Sequence, residues 1–188
     1  KAKDPILRIG LLTSRQVIII SIIAIGAGIS EAAVVFVPPL LVSTFSITTS
    51  AASFMLIPVV IAMAFGSPLA GKMLDKLGSK VVLIFGSILL ALGMLGLGTE
   101  SMNVTFFYIS AFILGIGMGF IVGPPLRYIM LNESTKTERT SAQGAIRLFT
   151  GIGQLFGGAL VGAIAASQGG GASGFRYAYL MIGIMAIV

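Results

Sequence analysis

The sequence predicts an all-α membrane protein: six transmembrane helices in one bundle, arranged as two inverted triplets, with the last helix truncated. Three observations carry this. Of 188 residues, 56% are hydrophobic and only 10% charged, with a mean hydropathy of +1.07. An ordinary soluble domain is roughly 45–50% apolar and about 25% charged. A chain of this size has too little interior to hide so much apolar surface, so the bilayer has to be its solvent. The second observation is a series of long apolar runs joined by short connections. The third is an asymmetry of basic residues between alternate connections.

Spans are expected at about 16–42, 48–73, 81–98, 104–131 and 141–166, with a sixth from about 175. A crossing takes about 20 apolar residues at 1.5 Å each. The first, second, fourth and fifth runs exceed that and the third nearly reaches it. The sixth offers about 14 residues before the chain stops at Val188 inside an apolar run. The chain also starts at Lys1 with neither an initiator Met nor a signal pattern. Both ends therefore read as cut from something longer. The expected organisation is one unit, 1–188, with a linker at 1–15, a first triplet at 16–98 and a second, incomplete one at 104–188.

Connections alternate between charged (1–15, 72–80, 132–140) and nearly uncharged (43–47, 99–103, 167–174). Lys1, Lys3, Arg8, Arg15, Lys72, Lys76, Lys80, Arg127, Lys136, Arg139 and Arg147 fall on or toward one side, and Arg176 toward the other. The rule that short cytoplasmic loops hold the Lys and Arg makes the rich side cytoplasmic, with the N-terminus inside. The expected location is thus a cell (plasma or inner) membrane, multi-pass. The net charge of +6 is explained by this topology. It does not form the clustered face that nucleic acid requires, so no nucleic-acid partner is expected.

Cysteine and histidine are both absent. This removes thiolate chemistry, disulfides and the commonest neutral-pH base and metal ligand. No catalytic residue, metal site or cofactor is expected. Gly171-Ala-Ser173-Gly174 has the form of a short serine-protease motif, but it falls in an expected loop and has no base. The chain is read as no enzyme.

Two proline pairs suggest the inverted repeat. Pro38-Pro39 lies late in the first span and Pro124-Pro125 late in the fourth, 86 residues on. The two spans are three places apart in the series, an odd number, so equivalent helices point opposite ways. Helices interrupted by Gly or Pro at corresponding positions are the usual pointer to a transport pathway. Glycines at four-residue spacing (Gly115, Gly119, Gly123; Gly153, Gly157; Gly158, Gly162) are read as ridges for close helix packing.

Glu31 is the only acidic residue within a span, about 22 Å from the start of its helix. An ionised carboxylate there must be protonated, paired or facing water, which suits a group that loads and unloads a proton. Were the helix to end at Pro38, Glu31 would instead sit near the outer headgroups. Gln143, Arg147, Thr150 and Gln154 recur at i, i+4, i+7 and i+11, one polar stripe on the fifth span. Such a stripe faces an aqueous cavity or the bundle interior, although Arg147 could also snorkel to the headgroups.

The connection Gly71-Lys-Met-Leu-Asp75-Lys76-Leu-Gly78-Ser-Lys80 resembles the cytoplasmic signature loop of the major facilitator superfamily, with Ser79 where that pattern has a basic residue. Gly71 and Gly78 suit a tight turn, and Asp75 with Lys76 and Lys80 a latch between helices. The stretch Asp4 to Arg15 is similar to the linker into the second half of multidrug/proton antiporters of that superfamily. Pro124 to Glu133 with Glu138 to Phe149 is similar to their later helix–loop–helix. Ser110 stands near the position where first halves have Arg. Gly153-Gln-Leu-Phe-Gly157 lacks the Pro that first halves have there. The resemblance therefore implies the C-terminal six-helix half, working by alternating access beside an N-terminal half. The first, second, fourth and fifth spans would line the cavity. It implies proton-coupled efflux of small organic, drug-like solutes, so the partners would be lipid, a small-molecule substrate and protons. An importer of a small metabolite, a non-transporting scaffold or a channel subunit are the alternatives.

Overall fold

The computed structural model describes residues 15–132 and 139–186. All regular structure among these residues is helical: α1 Arg15–Val35, α2 Val37–Phe45, α3 Thr49–Phe54, α4 Ile57–Leu97, α5 Val104–Ile121, α6 Pro124–Asn132, α7 Arg139–Ser167 and α8 Gly171–Met185. The linker 1–14, with Lys1, Lys3 and Arg8, and the segment 133–138, with Lys136, lie outside the described residues.

Among the described residues, four apolar helical stretches are long enough to cross a membrane: Val17–Phe45, Thr49–Leu97, Val104–Leu131 and Arg139–Ser167. The second has 49 residues, about 73 Å if straight, more than twice the roughly 30 Å hydrocarbon core. It is two spans. Within it Gly78 leaves helical geometry at φ 77°, ψ 166°, a conformation essentially reserved for glycine. The expected nine-residue connection at 72–80 thus shrinks to a turn at one residue, with helix on both sides.

Proline decides where the spans bend. The first breaks at Phe36 (φ −92°, ψ 0°), just ahead of Pro38 and Pro39. Neither proline has an N–H, so the carbonyls of Val34 and Val35 lose their usual donors. Helix resumes at once as α2. The fourth span breaks at Val122 and Gly123, and α6 starts on Pro124. The second span also breaks, at Met55–Leu56, with Pro58 in the first turn of α4. That break was not expected within 48–73; a lone proline gives a weaker signal than a pair.

Two tight packings organise the bundle. In the first, α5 lies between the two limbs of α4. A Cβ on Gly115 or Gly119 would collide with the backbone of Val59, Met63 or Gly66, and one on Gly66 with Ile116. Numbers rise together, so these helices run parallel. On the other limb Gly93 abuts Leu114, Gly96 abuts Ser110, and Gly117 abuts Leu90. There the numbers rise oppositely, so the chain has reversed at Gly78. In the second packing α1 runs parallel to α7: Gly28 meets Thr150 and Gln154, Gly153 meets Ile25, and Gly157 meets Ile29 and Ala32. Close backbone approach replaces the hydrophobic drive that lipid does not supply. The pair Gly158 and Gly162 departs from expectation, because a Cβ on either would meet nothing within 4 Å.

α8 joins the two packings. Gly174 rests on Ala165 of α7, while Leu180 and Gly183 meet Gly98 and Leu95 of α4. Its start at Gly171, the last of three successive glycines with φ of 71–79°, lies earlier than the expected 175, so Ser173 is helical. α8 has 15 residues, about 22 Å.

Candidate functional site

Because α1 and α7 run parallel at backbone contact, side chains flanking the glycines are forced together. Glu31 lies one turn beyond Gly28 and Gln154 one residue beyond Gly153. The Gln154 amide nitrogen donates to the Glu31 carboxylate at 2.6 Å across 123 residues of sequence. Glu31 is half-buried and Gln154 exposed. From Arg15 to Glu31 the helix climbs about 24 Å, and from Glu31 to Phe45 about 21 Å. The carboxylate therefore lies near the middle of the apolar stretch Val17–Phe45, in which helix resumes beyond the break at Phe36.

The rest of the stripe is spread along α7. Thr150 is half-buried and its carbonyl lies against Gly28. Arg147 and Gln143 are exposed, Arg147 about 10 Å from Gln154 along the helix. Neither bonds to Glu31. Of the stripe, the structure thus brings only Gln154 into a bond with Glu31.

The signature-loop residues gather at the end of the bundle that also holds Arg15, Arg127 and Arg139. Gly78 makes the turn itself. Gly71 has ordinary room, a Cβ there standing 3.8 Å from Pro124. Asp75, Lys76 and Lys80 are all exposed, and no ion pair joins them to each other among the described residues, so no latch forms between them here. Pro38, Pro39, Pro124 and Pro125 stand at the breaks described above, Gly153 and Gly157 at the α1–α7 crossing.

A cleft of about 400 Å³ opens elsewhere, between Ile22 and Gly26 of α1, Ile84 and Ile88 of α4, and Ile182 and Met185 of α8. Its lining is apolar apart from Ser30 and Ser87, and the Ser30 hydroxyl is spent on the Gly26 carbonyl. Glu31 is not part of it. Among the described residues no cluster of His, Cys, Asp or Glu could hold a metal ion.

Sequence reasoning missed Tyr179. It is fully buried and donates its hydroxyl to the Ala33 carbonyl at 2.7 Å. A tyrosine in mid-helix among apolar residues signals that its polar tip needs a partner, but not which one.

The pattern of the Major Facilitator Superfamily matches residues 18–188, nearly the whole chain. The chain belongs to this superfamily. It is also similar to Multidrug transporter protein MdtP of Bacillus subtilis (strain 168), 29% identical over 174 residues, which is 90% of this chain and 32% of that protein. An uncharacterized MFS-type transporter of the same organism, YfiU, is 29% identical over 80% of this chain and 29% of its own length. Multidrug resistance protein 2 of Bacillus subtilis is 28% identical over 69% of this chain and 32% of its own. The chain spans about a third of the length of these relatives. As a superfamily member built of membrane-crossing helices, it is an integral membrane protein of a transporter family.

Proposed function

We propose that this chain is the C-terminal half of a secondary transporter that exports small organic, drug-like solutes in exchange for protons. In this reading Glu31 is the proton or substrate group. The observation that carries it is the Glu31–Gln154 bond at mid-span. Ionisable groups at that depth are expensive and belong to substrate or ion pathways. A carboxylate held by a neutral amide keeps one oxygen free to take a proton or a cationic solute, which a salt-bridged carboxylate would not. Names of relatives that call them multidrug transporters support the choice of solute class.

Alternating access suits the fold. Breaks before Pro38–Pro39 and before Pro124–Pro125 fall at corresponding places in two inverted triplets, 16–98 and 104–188, where such interruptions border a midplane site. The end of the bundle with Arg15, Lys72, Lys76, Lys80, Arg127 and Arg139 is assigned to the cytoplasm by its positive charge, in a plasma or inner membrane. An N-terminal half of the same protein would close the cavity in front of α1 and α7.

The test uses the full-length protein in proteoliposomes, with efflux of ethidium as the probe and an imposed pH gradient. Glu31→Gln should leave the protein folded and abolish acceleration of efflux by the gradient. Unchanged coupling in that variant would refute the role given to Glu31.

A further inference from the structure

The break in the first span is held from the sixth. Tyr179 of α8 is fully buried, and its hydroxyl reaches the Ala33 carbonyl across 146 residues of sequence. That carbonyl lies two residues beyond Glu31. It also accepts from the Phe36 N–H at 3.0 Å, a three-residue bond that tightens the helix just before Pro38. One turn earlier in α8 the Phe175 ring lies 6.2 Å from the Phe36 ring, tilted by 34°. Phe175 and Tyr179 are four residues apart, so they share one face of α8. Both are applied to the two ends of the same break.

The chemistry explains why the contact lies there. A phenol in a dry interior must donate to something, and uninterrupted helices offer only carbonyls already engaged along their axes. Beside the proline break the ladder loosens, and the Ala33 carbonyl, next to the two that lose their donors, takes a three-residue bond from Phe36 and keeps room for a second donor. The sixth span would otherwise be an outer helix with no part in the site. Instead it carries a side chain that bonds to the backbone two residues beyond Glu31.

We propose that Tyr179 is a positioning residue for Glu31, with Phe175 as its apolar support. Together they pin the break in the first span, so the direction in which α1 presents Glu31 is set from α8. This rests on the reading of Glu31 as the proton or substrate group.

The test is Tyr179→Phe in the full-length protein, which keeps the ring and removes only the hydroxyl. Hydrogen exchange at the amides of Phe36, Val37 and Leu40 should accelerate about fivefold, the change in equilibrium that one net hydrogen bond produces. The pH profile of ethidium efflux should move by about half a unit or more. Tyr128→Phe, at an exposed tyrosine, should move neither. Unchanged exchange overturns the pin, and faster exchange with an unmoved pH profile overturns the positioning of Glu31. If Tyr179→Phe does not fold, Phe175→Leu must accelerate the same amides, or the inference fails. A normal response to Glu31→Gln alongside faster exchange in Tyr179→Phe would sink the proposed function and leave the pin standing.

Discussion

The sharpest test of the packing is one substitution made at two glycines of α7. Gly153 and Gly158 are five residues apart on the same helix and chemically identical, but their surroundings differ. A Cβ on Gly153 would fall on the carbonyl of Ile25 and within 2.9 Å of its Cα. Ordinary contact begins near 3.4 Å, and backbone cannot yield as a side-chain tip can. Gly153→Ala must therefore push α1 and α7 apart. Overpacking of this kind costs about 1–3 kcal/mol, against which alanine returns about 0.5–1 kcal/mol of helix propensity. Gly158 has nothing within 4 Å of its missing Cβ, so Gly158→Ala gains the propensity without the collision. The propensity gain is common to both, so the two variants should differ by the collision alone, about 1–3 kcal/mol, with Gly153→Ala the less stable. Thermal unfolding of the purified full-length protein in detergent reads this as a midpoint several degrees lower for Gly153→Ala and unchanged or higher for Gly158→Ala. Separating α1 from α7 should also lengthen the Glu31–Gln154 bond, so gradient-driven efflux should fall in the first variant alone. Equal midpoints would refute the close crossing.

Two further substitutions probe the backbone. Gly78→Ala places a Cβ at φ 77°, ψ 166°, where strain costs about 1–3 kcal/mol; a lower yield and a lower unfolding midpoint are expected, and no change would mean the reversal lies elsewhere. Ser46 ends α2 at φ 53°, a left-handed position that costs a non-glycine residue about 1 kcal/mol. Ser46→Gly should raise the midpoint by a degree or more in the same assay, and a drop would argue that the serine side chain is needed there.

The site was only partly legible before the structure. Glu31 and Gln154 each stood out alone, as an intramembrane carboxylate and as part of a polar stripe. Nothing in the spacing joined them, because 123 residues separate them and the helices between could have been arranged in several ways. Arg147 and Gln143 shared the stripe's periodicity, but they lie nearer the end of α7 and take no part in the bond. Gly153 and Gly158 could not be told apart either, since a glycine's neighbours across a crossing leave no mark in its own segment.

What the sequence determined by itself was everything set by local chemistry. Hydropathy made the bilayer the solvent, proline pairs placed the breaks in the first and fourth spans, and the charged loops marked one end. These follow from properties each segment carries alone: transfer to lipid, a missing N–H, a charge that must stay wet. Only the tertiary structure decided which helices meet. It set α1 against α7, placed α5 between the limbs of α4, and brought Tyr179 to Ala33. Within lipid most faces of these helices are apolar, so no hydrophobic stripe announces the partner. Contact is settled by which small residues can approach and by which buried polar groups find each other, and both depend on residues more than a hundred positions away.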